Sequence, residues 1–357
     1  MSQLESLIAS AGESELLDSL SYQLPPSNTS VTTRKNACRA YPQGLTSLSP
    51  GGTKHTRIKL AGTEWVDTPT VRMVFTIKNE DASHKLVPLC GGWGALQQVF
   101  LRSNGVELDN IQYFNRYVQQ FLWNQSDMAT QWGWLGIESG YSSVPVGGNQ
   151  PFRPKPVTIP AGGSLTVMFP LPLSVFSSGK ILPCSYLPTE LEIVCISDPL
   201  DWLDPNVDGN GVAQNSLNFS LNNIQIQYDS LQVDDAVSSS FYKLLLSGRI
   251  LSFPCVCAYQ MCQAIPFGSA TYSYQSVRAF SRLSQVWLTF REITDGAVGA
   301  RSSNFVSPFA LGNTPGNTDT VDASPQVRLY IGPACFPRSE EHTSELQSHS
   351  DLVCRLL

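Results

Sequence analysis

Charge is scarce in this chain. Charged residues make up 15% of its 357 residues, against about 25% in average soluble proteins. The net charge is −6, and the longest basic run is Arg34-Lys35. Broad electrostatic binding to nucleic acid needs clustered Lys and Arg, so we expect no specific nucleic-acid binding. A neutral, loop-rich β protein or a surface covered by partners would both explain so little charge.

Long hydrophobic runs and an export signal are also missing. No window approaches the roughly 20 apolar residues that a membrane-spanning helix needs. Residues 1–20 lack the basic start and apolar centre of a signal peptide. We therefore expect no membrane span, and we expect the 9 cysteines to be reduced thiols.

Catalytic motifs are absent as well. The chain contains no G-x-S-x-G, no G-x-x-x-x-G-K-[ST] and no G-x-G-x-x-G. Glu190 and Glu192 stand two apart on one strand face, a spacing that usually marks a solvated sheet face. A glycosidase would need carboxylates that converge from different elements, which stays open. We predict no catalytic residue and no enzyme.

The loop at 204–215 partly matches a calcium-binding loop. Asp204, Asn206, Asp208 and Gly209 fit positions one, three, five and six of such a loop. Position twelve, however, is Asn215 in place of the bidentate Glu. A turn-rich surface loop explains the same residues, so we predict no metal there.

Three cysteines, Cys255, Cys257 and Cys262, lie close together in the sequence. Zinc sites commonly use Cys-x2-Cys with a second pair or a His nearby, and neither is present. We expect buried, inert thiols with no metal or other cofactor.

The last twenty residues, RSEEHTSELQSHSDLVCRLL, fit no β pattern. One codon choice for RSEEHTSELQSH reproduces a common sequencing adapter base for base. We therefore predict that residues 338–357 are a sequencing-adapter artefact. We therefore do not consider His342, His349 and Cys354 as candidate site residues, and the remaining histidines are His55 and His84.

The rest of the chain is patterned for β structure. Alternation predicts strands at 56–60, 70–77, 96–103, 106–111, 164–173, 189–196 and 219–234, with Asn104-Gly105 as a tight turn. Helices are predicted within 3–20, at 112–123 and at 234–248, the last closed by Gly248. Strand patterns resume at 249–259, 277–293 and 325–332.

This order defines five segments. We predict an N-terminal helical arm and linker (1–30), a first jelly roll (31–233), a helical connector (234–248), a partial second jelly roll (249–337) and the artefact (338–357). The first β block has about eight strands, which suits two sheets packed face to face. The fold class is therefore all-β, with two tandem jelly-roll barrels, the second truncated, and short helices in the arm and loops.

Several runs resemble the double jelly roll major capsid proteins of polinton-like viruses and related double-stranded DNA viruses. They are EWVDTPTVRMVFTIKN, LVPLCGGWGALQQVFLRSNGVELDNIQYFNRYVQQF, FPLPLSVFSSGKILPCSYLPTELEIV, FYKLLLSGRILSF and VRAFSRLSQVWLTF, in family order over roughly residues 40–337.

The resemblance implies a structural role in the virion. Such subunits form homotrimers of pseudo-hexagonal outline, and these capsomers tile an icosahedral capsid with penton and minor capsid proteins, assembled inside the host cell. The Trp-rich loop at 123–141, with Trp123, Trp132 and Trp134, would then lie either in an interface or within the subunit. The alternative function is a lectin-like carbohydrate-binding β-sandwich, since Trp-rich loops on jelly rolls can stack on sugars.

Overall fold

The computed structural model describes residues 31–60, 64–125, 138–144, 153–204, 214–248, 255–264, 273–275, 283–287, 329–331 and 334–336. The predicted N-terminal helix, most of the Trp-rich loop, and residues 338–357 lie outside these ranges. Their predictions stay untested.

The strands in chain order are β1 (Val31–Ala40), β2 (His55–Lys59), β3 (Trp65–Asn79), β4 (Leu96–Ser103), β5 (Val106–Ile111), β6 (Tyr141–Val144), β7 (Arg153–Pro156), β8 (Ser164–Pro170), β9 (Ile181–Pro183), β10 (Thr189–Cys195), β11 (Phe219–Val233), β12 (Leu329–Ile331) and β13 (Ala334–Phe336). The helices are α1 (Phe114–Gln125) and α2 (Asp235–Leu246). Single 3-10 turns occur at Gly92–Ala95, Phe176–Ser178 and Pro199–Asp201.

The chain divides into two compact units, residues 36–230 with 252–357, and residues 1–35 with 231–251. In the smaller unit, α2 has Asp235 in its first turn and Lys243 in its last, both favourable to the helix dipole. It is followed by Gly248 at φ 76°, the left-handed stop that the sequence predicted.

The larger unit is built on two antiparallel sheets. One has the order β1-β11-β3-β8, with β9 also paired to β3, and the other has the order β2-β10-β4-β5. When the eight main strands are lettered B to I along the chain, the sheets become B-I-D-G and C-H-E-F. That is the strand order of a jelly roll. The predicted all-β class is confirmed.

The core follows the alternation seen in the sequence. Val71, Met73, Phe75 and Ile77 on β3 are all buried, as predicted. The ring of Phe75 meets that of Phe169 edge to face at 5.7 Å between centroids. Inward residues of both sheets join one hydrophobic cluster, so the two sheets bury a common core.

The hairpin between β4 and β5 turns at Asn104 and Gly105. Their φ angles are 48° and 78°, and two successive positive values are what a two-residue type I′ turn requires. This turn sets the register that pairs Arg102 with Glu107, and a one-residue shift between Leu101 and Arg102 then pairs Phe100 with Asn110.

The block after α2 differs from its prediction. Residues 255–259 and 283–287 carry neither strand nor helix, although alternation predicted strands there. A strand needs a neighbour to complete its ladder of hydrogen bonds, and Gln260 instead accepts a bond from the backbone N–H of Tyr113, which precedes α1. The hairpin β12–β13 agrees with the predicted strand at 325–332. A partial second jelly roll stays a prediction.

Candidate assembly surface

The outer face of the sheet β2-β10-β4-β5 concentrates charge in a chain that has little. Register and burial place alternate residues of β2, β10 and β4 on the side away from the core, and the register shift at Leu101 and Arg102 brings Glu107 and Asn110 of β5 to the same side. The outward side chains with polar or aromatic groups are His55, Arg57 and Lys59 on β2, Glu190 and Glu192 on β10, Gln98, Phe100 and Arg102 on β4, and Glu107 and Asn110 on β5.

Glu192 lies at the centre of this face. Its Oε1 contacts Nε2 of His55, and its Oε2 accepts a 2.6 Å hydrogen bond from Nη1 of Arg102. Nε of Arg57 lies 3.5 Å from the same oxygen. The imidazole of His55 and the guanidinium groups of Arg57 and Arg102 come from the strands on both sides of β10, so they enclose the carboxylate and leave its side chain only 11% exposed.

The prediction of a solvated face is therefore wrong for Glu192. The guanidinium of Arg102 also lies over the ring of Phe100, 5.0 Å from its centroid, which adds a cation–π contact. A buried carboxylate is tolerated when opposite charges surround it. The carboxylate of Glu192 therefore holds three side chains of this face in place: the guanidinium groups of Arg57 and Arg102 and the imidazole of His55.

Next to this cluster, four charges alternate in sign across the sheet. The register pairs Lys59 with Glu190, Glu190 with Arg102, and Arg102 with Glu107. We call this set the charged row. In the part of the chain that the structure describes, neither Lys59 nor Glu190 forms an ion pair.

A shallow recess of about 230 Å³ opens at the charged row. Lys59, Arg102 and Glu190 line it together with Thr189 and the turn at Asn104 and Gly105. It is a polar hollow with charges of both signs, a chemistry that suits a charged side chain of another protein better than an apolar ligand.

A second carboxyl, Asp109 on β5, points inward. Burial raises the pKa of Asp109, and hydrogen bonds with Ser174 partly oppose that shift. Oδ2 accepts a 2.8 Å bond from the backbone N–H of Ser174, after β8. The carboxyl therefore ties β5 to the chain beyond β8 in the core.

The partial calcium motif is described only at its two ends. Nδ2 of Asn215 donates a 3.0 Å bond to the backbone carbonyl of Asp204, so that amide closes the base of the loop. Asn206, Asp208 and Gly209 lie outside the described residues. Across the described ranges, no cluster of three or more His, Cys, Asp or Glu could hold a metal ion.

Among the described cysteines, those of the first β block and those after α2 differ in burial. Burial raises the pKa of Cys184 and of Cys195 to about 12, which makes these thiols unreactive. Cys255, Cys257 and Cys262 are exposed, so the expectation that they are buried is wrong. The sulfur atoms of Cys255 and Cys257 are 4.0 Å apart. The described residues 255–259 do not form the strand that alternation predicted, and the thiols of Cys255 and Cys257 face outward.

None of the described helices is long and apolar enough to cross a bilayer.

No family model matches the chain, and no curated protein matches it. Solved structures do. A quasi-atomic model of the PBCV-1 virus capsid matches with TM-score 0.41 and 13% identity, over 62% of this chain and 47% of that one. The Faustovirus major capsid protein matches with TM-score 0.37 and 10% identity, over 67% of this chain and 62% of that one. The mavirus major capsid protein matches with TM-score 0.33 and 10% identity, over 61% of this chain and 52% of that one.

These similar structures are virus capsid proteins. This chain spans about half the length of the PBCV-1 and mavirus proteins that it matches. Its own strand order, B-I-D-G facing C-H-E-F, remains the ground for the jelly-roll fold.

Sequence reasoning singled out Glu190 and Glu192 but missed Arg57, Lys59, Arg102 and Glu107. Each of the four is a charged residue at an alternate position of a strand, which is a detectable signal. Alternation does not say which strands are neighbours, so it could not place the four side chains on one face.

Proposed function

We propose that this chain is a major capsid protein, a non-enzymatic structural subunit of a virus shell. The observation that carries the proposal is the complete eight-strand jelly roll, followed by α2 and a further block whose sequence is again patterned for strands. Its five runs resemble double jelly roll capsid proteins in order, which supports the same conclusion. In this proposal the protein resides in the virion, without catalysis or a cofactor.

The subunit would assemble as a homotrimer. With two similar barrels side by side in each chain, a trimer contains six barrels. It therefore has a pseudo-hexagonal outline and can occupy a hexagonal tile. Neighbouring capsomers, penton proteins and minor capsid proteins are the partners in such a shell. The charged outer face described above is a surface that a partner could use.

The experiment is native mass spectrometry of the purified chain, followed by electron microscopy of negatively stained particles. We expect a species of three times the mass of one chain that appears as a hexagonal tile, in the absence of sugar. A monomer at every concentration would contradict the proposal. A monomer that is also retained by immobilised glycans would favour the lectin-like alternative, for which no described residue argues at present.

A further inference from the structure

The order of charges in the charged row allows two copies of the row to pair with each other. Lys59, Glu190, Arg102 and Glu107 follow one another across the sheet with signs plus, minus, plus, minus. Rotation by 180° about an axis parallel to the strands, through the middle of the row, brings a second row face to face with the first in reversed order. Lys59 then faces Glu107 of the second copy, and Glu190 faces Arg102. All four contacts join opposite charges.

We propose that this outer face packs against the same face of a second copy of the chain, across a two-fold axis parallel to the strands. Such an interface is isologous, because each copy offers the same patch. The inference rests on the proposed capsid role and deepens it, since it names the surface through which two neighbouring capsomers would meet.

Charge also selects the orientation. A two-fold axis perpendicular to the strands, within the plane of the contact, would place Lys59 over Lys59 and Glu190 over Glu190. Like charges across an interface oppose association by several kcal/mol. The parallel axis avoids every such pair, so the row is compatible with one two-fold arrangement and not with the other.

The neighbouring row of side chains does not oppose this arrangement. It runs Arg57, Glu192, Phe100 and Asn110. The same rotation places Arg57 over Asn110 and Glu192 over Phe100, so no like charges meet. Glu192 is already paired within its own chain with Arg57 and Arg102, and Arg102 keeps that bond through Nη1 while its guanidinium also faces Glu190 of the second copy.

The free charges of the row are available to a partner. Lys59 is exposed and Glu190 is half-buried at the recess, and in the described part of the chain neither is engaged in an ion pair. The Arg102 side chain of the second copy would approach Glu190 at this recess. The four-stranded face is narrow, about 14 Å between its outer strands, so one contact is weak and becomes strong only when an assembly repeats it.

The test uses the exposed ends of the row in the full chain. In Lys59→Glu, residue 59 faces Glu107 of the second copy and repels it, and Glu107→Lys repels Lys59 in the same way. The double variant restores opposite charges. Within one chain the two positions are about 14 Å apart across three strand spacings, too far for direct pairing, so a rescue reports a contact between copies.

Self-association would be measured by sedimentation velocity over about 1–500 µM at low salt, with circular dichroism as the check on folding. We expect the wild-type protein to associate beyond its basic oligomer, and each single variant to associate about tenfold more weakly or worse. The double variant should regain the wild-type value. An equimolar mixture of the two single variants should associate while each alone does not, because the mixed pair joins opposite charges at both ends.

Lys180→Glu is the matched control, because it makes the same charge change on an exposed residue next to β9, in the other sheet. Wild-type protein that never associates beyond its basic oligomer would overturn the inference, as would single variants that behave like Lys180→Glu or a double variant that is not rescued. If the protein forms a trimer whose further association is unaffected by the row variants, the proposed contact is wrong and the capsid proposal is unaffected. A dimer of monomers that depends on the row, without a trimer, would support the contact and contradict the capsid proposal.

Discussion

At the scale of single residues, Glu192 is an acidic side chain that points away from the core and is still largely shielded from solvent. Its two oxygens bind His55, Arg57 and Arg102. Removing one charge from such a cluster leaves cations close together without their counter-charge, which costs more than the loss of one exposed ion pair.

We therefore expect Glu192→Gln to lower the free energy of unfolding by about 1–3 kcal/mol. Glu190→Gln is the control two residues away on the same face, and its change should stay within about 0.5 kcal/mol. Urea unfolding at pH 7 measures both. Equal losses for the two variants would mean that the cations around Glu192 contribute nothing to stability.

Asp109 gives a prediction about pH. Because burial raises the pKa of Asp109, the folded state holds this proton more tightly than the unfolded state does. The free energy of unfolding should therefore fall as pH rises from about the ordinary value of 3.8 through the raised value, and then level off.

Asp109→Asn removes this titration. The variant also loses one acceptor oxygen, which lowers its free energy of unfolding by the same amount at every pH. As pH rises from about 3 to 8, the free energy of unfolding of the wild type should therefore fall relative to that of the variant. Urea unfolding at a series of pH values measures that difference, in which the other carboxyls cancel. A difference that is independent of pH would show that Asp109 titrates normally.

At the scale of elements, the 3-10 turn before β4 depends on a close approach. A Cβ added to Gly94 would lie 2.0 Å from Cδ1 of Trp202 and 2.5 Å from Sγ of Cys90, both of them buried. We expect Gly94→Ala to lower the free energy of unfolding by about 3 kcal/mol or more, since a packed core accommodates extra volume poorly.

Gly51→Ala is the matched control, because a Cβ at Gly51 meets nothing within 4 Å. It should be neutral or slightly stabilising. Thermal unfolding of both variants checks the contrast, and a Gly94→Ala protein that melts like Gly51→Ala would refute the close packing against Trp202.

The elements also show how far sequence patterns reach. The alternation of Val71 to Ile77 and the Asn104-Gly105 turn depend on neighbours in the chain, so β3 and the β4–β5 hairpin could be predicted. The charged row joins β2, β10, β4 and β5, which are up to about 130 residues apart in the chain. It depends on strand order, which local patterns do not contain. The strand predicted at 255–259 failed for the same reason, since a strand forms only beside a partner.

At the scale of the whole molecule, later residues of the larger unit lie against α1. The ring of Trp287 is 5.7 Å from that of Tyr117 and 6.2 Å from that of Phe121, between centroids. Oε1 of Gln260 accepts the 3.0 Å bond from the N–H of Tyr113. Gln260 and Trp287 thus connect their described segments to the first β block through the helix between β5 and β6.

We expect Trp287→Ala to lower the free energy of unfolding by about 1–3 kcal/mol, because it removes both ring contacts. Trp287→Phe should cost much less. It keeps an aromatic ring between Tyr117 and Phe121, and it removes an indole N–H that is buried with no hydrogen-bond partner among the described residues. Tyr274→Ala, at a side chain that is 47% exposed, is the control. If urea unfolding gives Trp287→Ala and Tyr274→Ala the same small change, the ring contacts of Trp287 with α1 contribute nothing to stability.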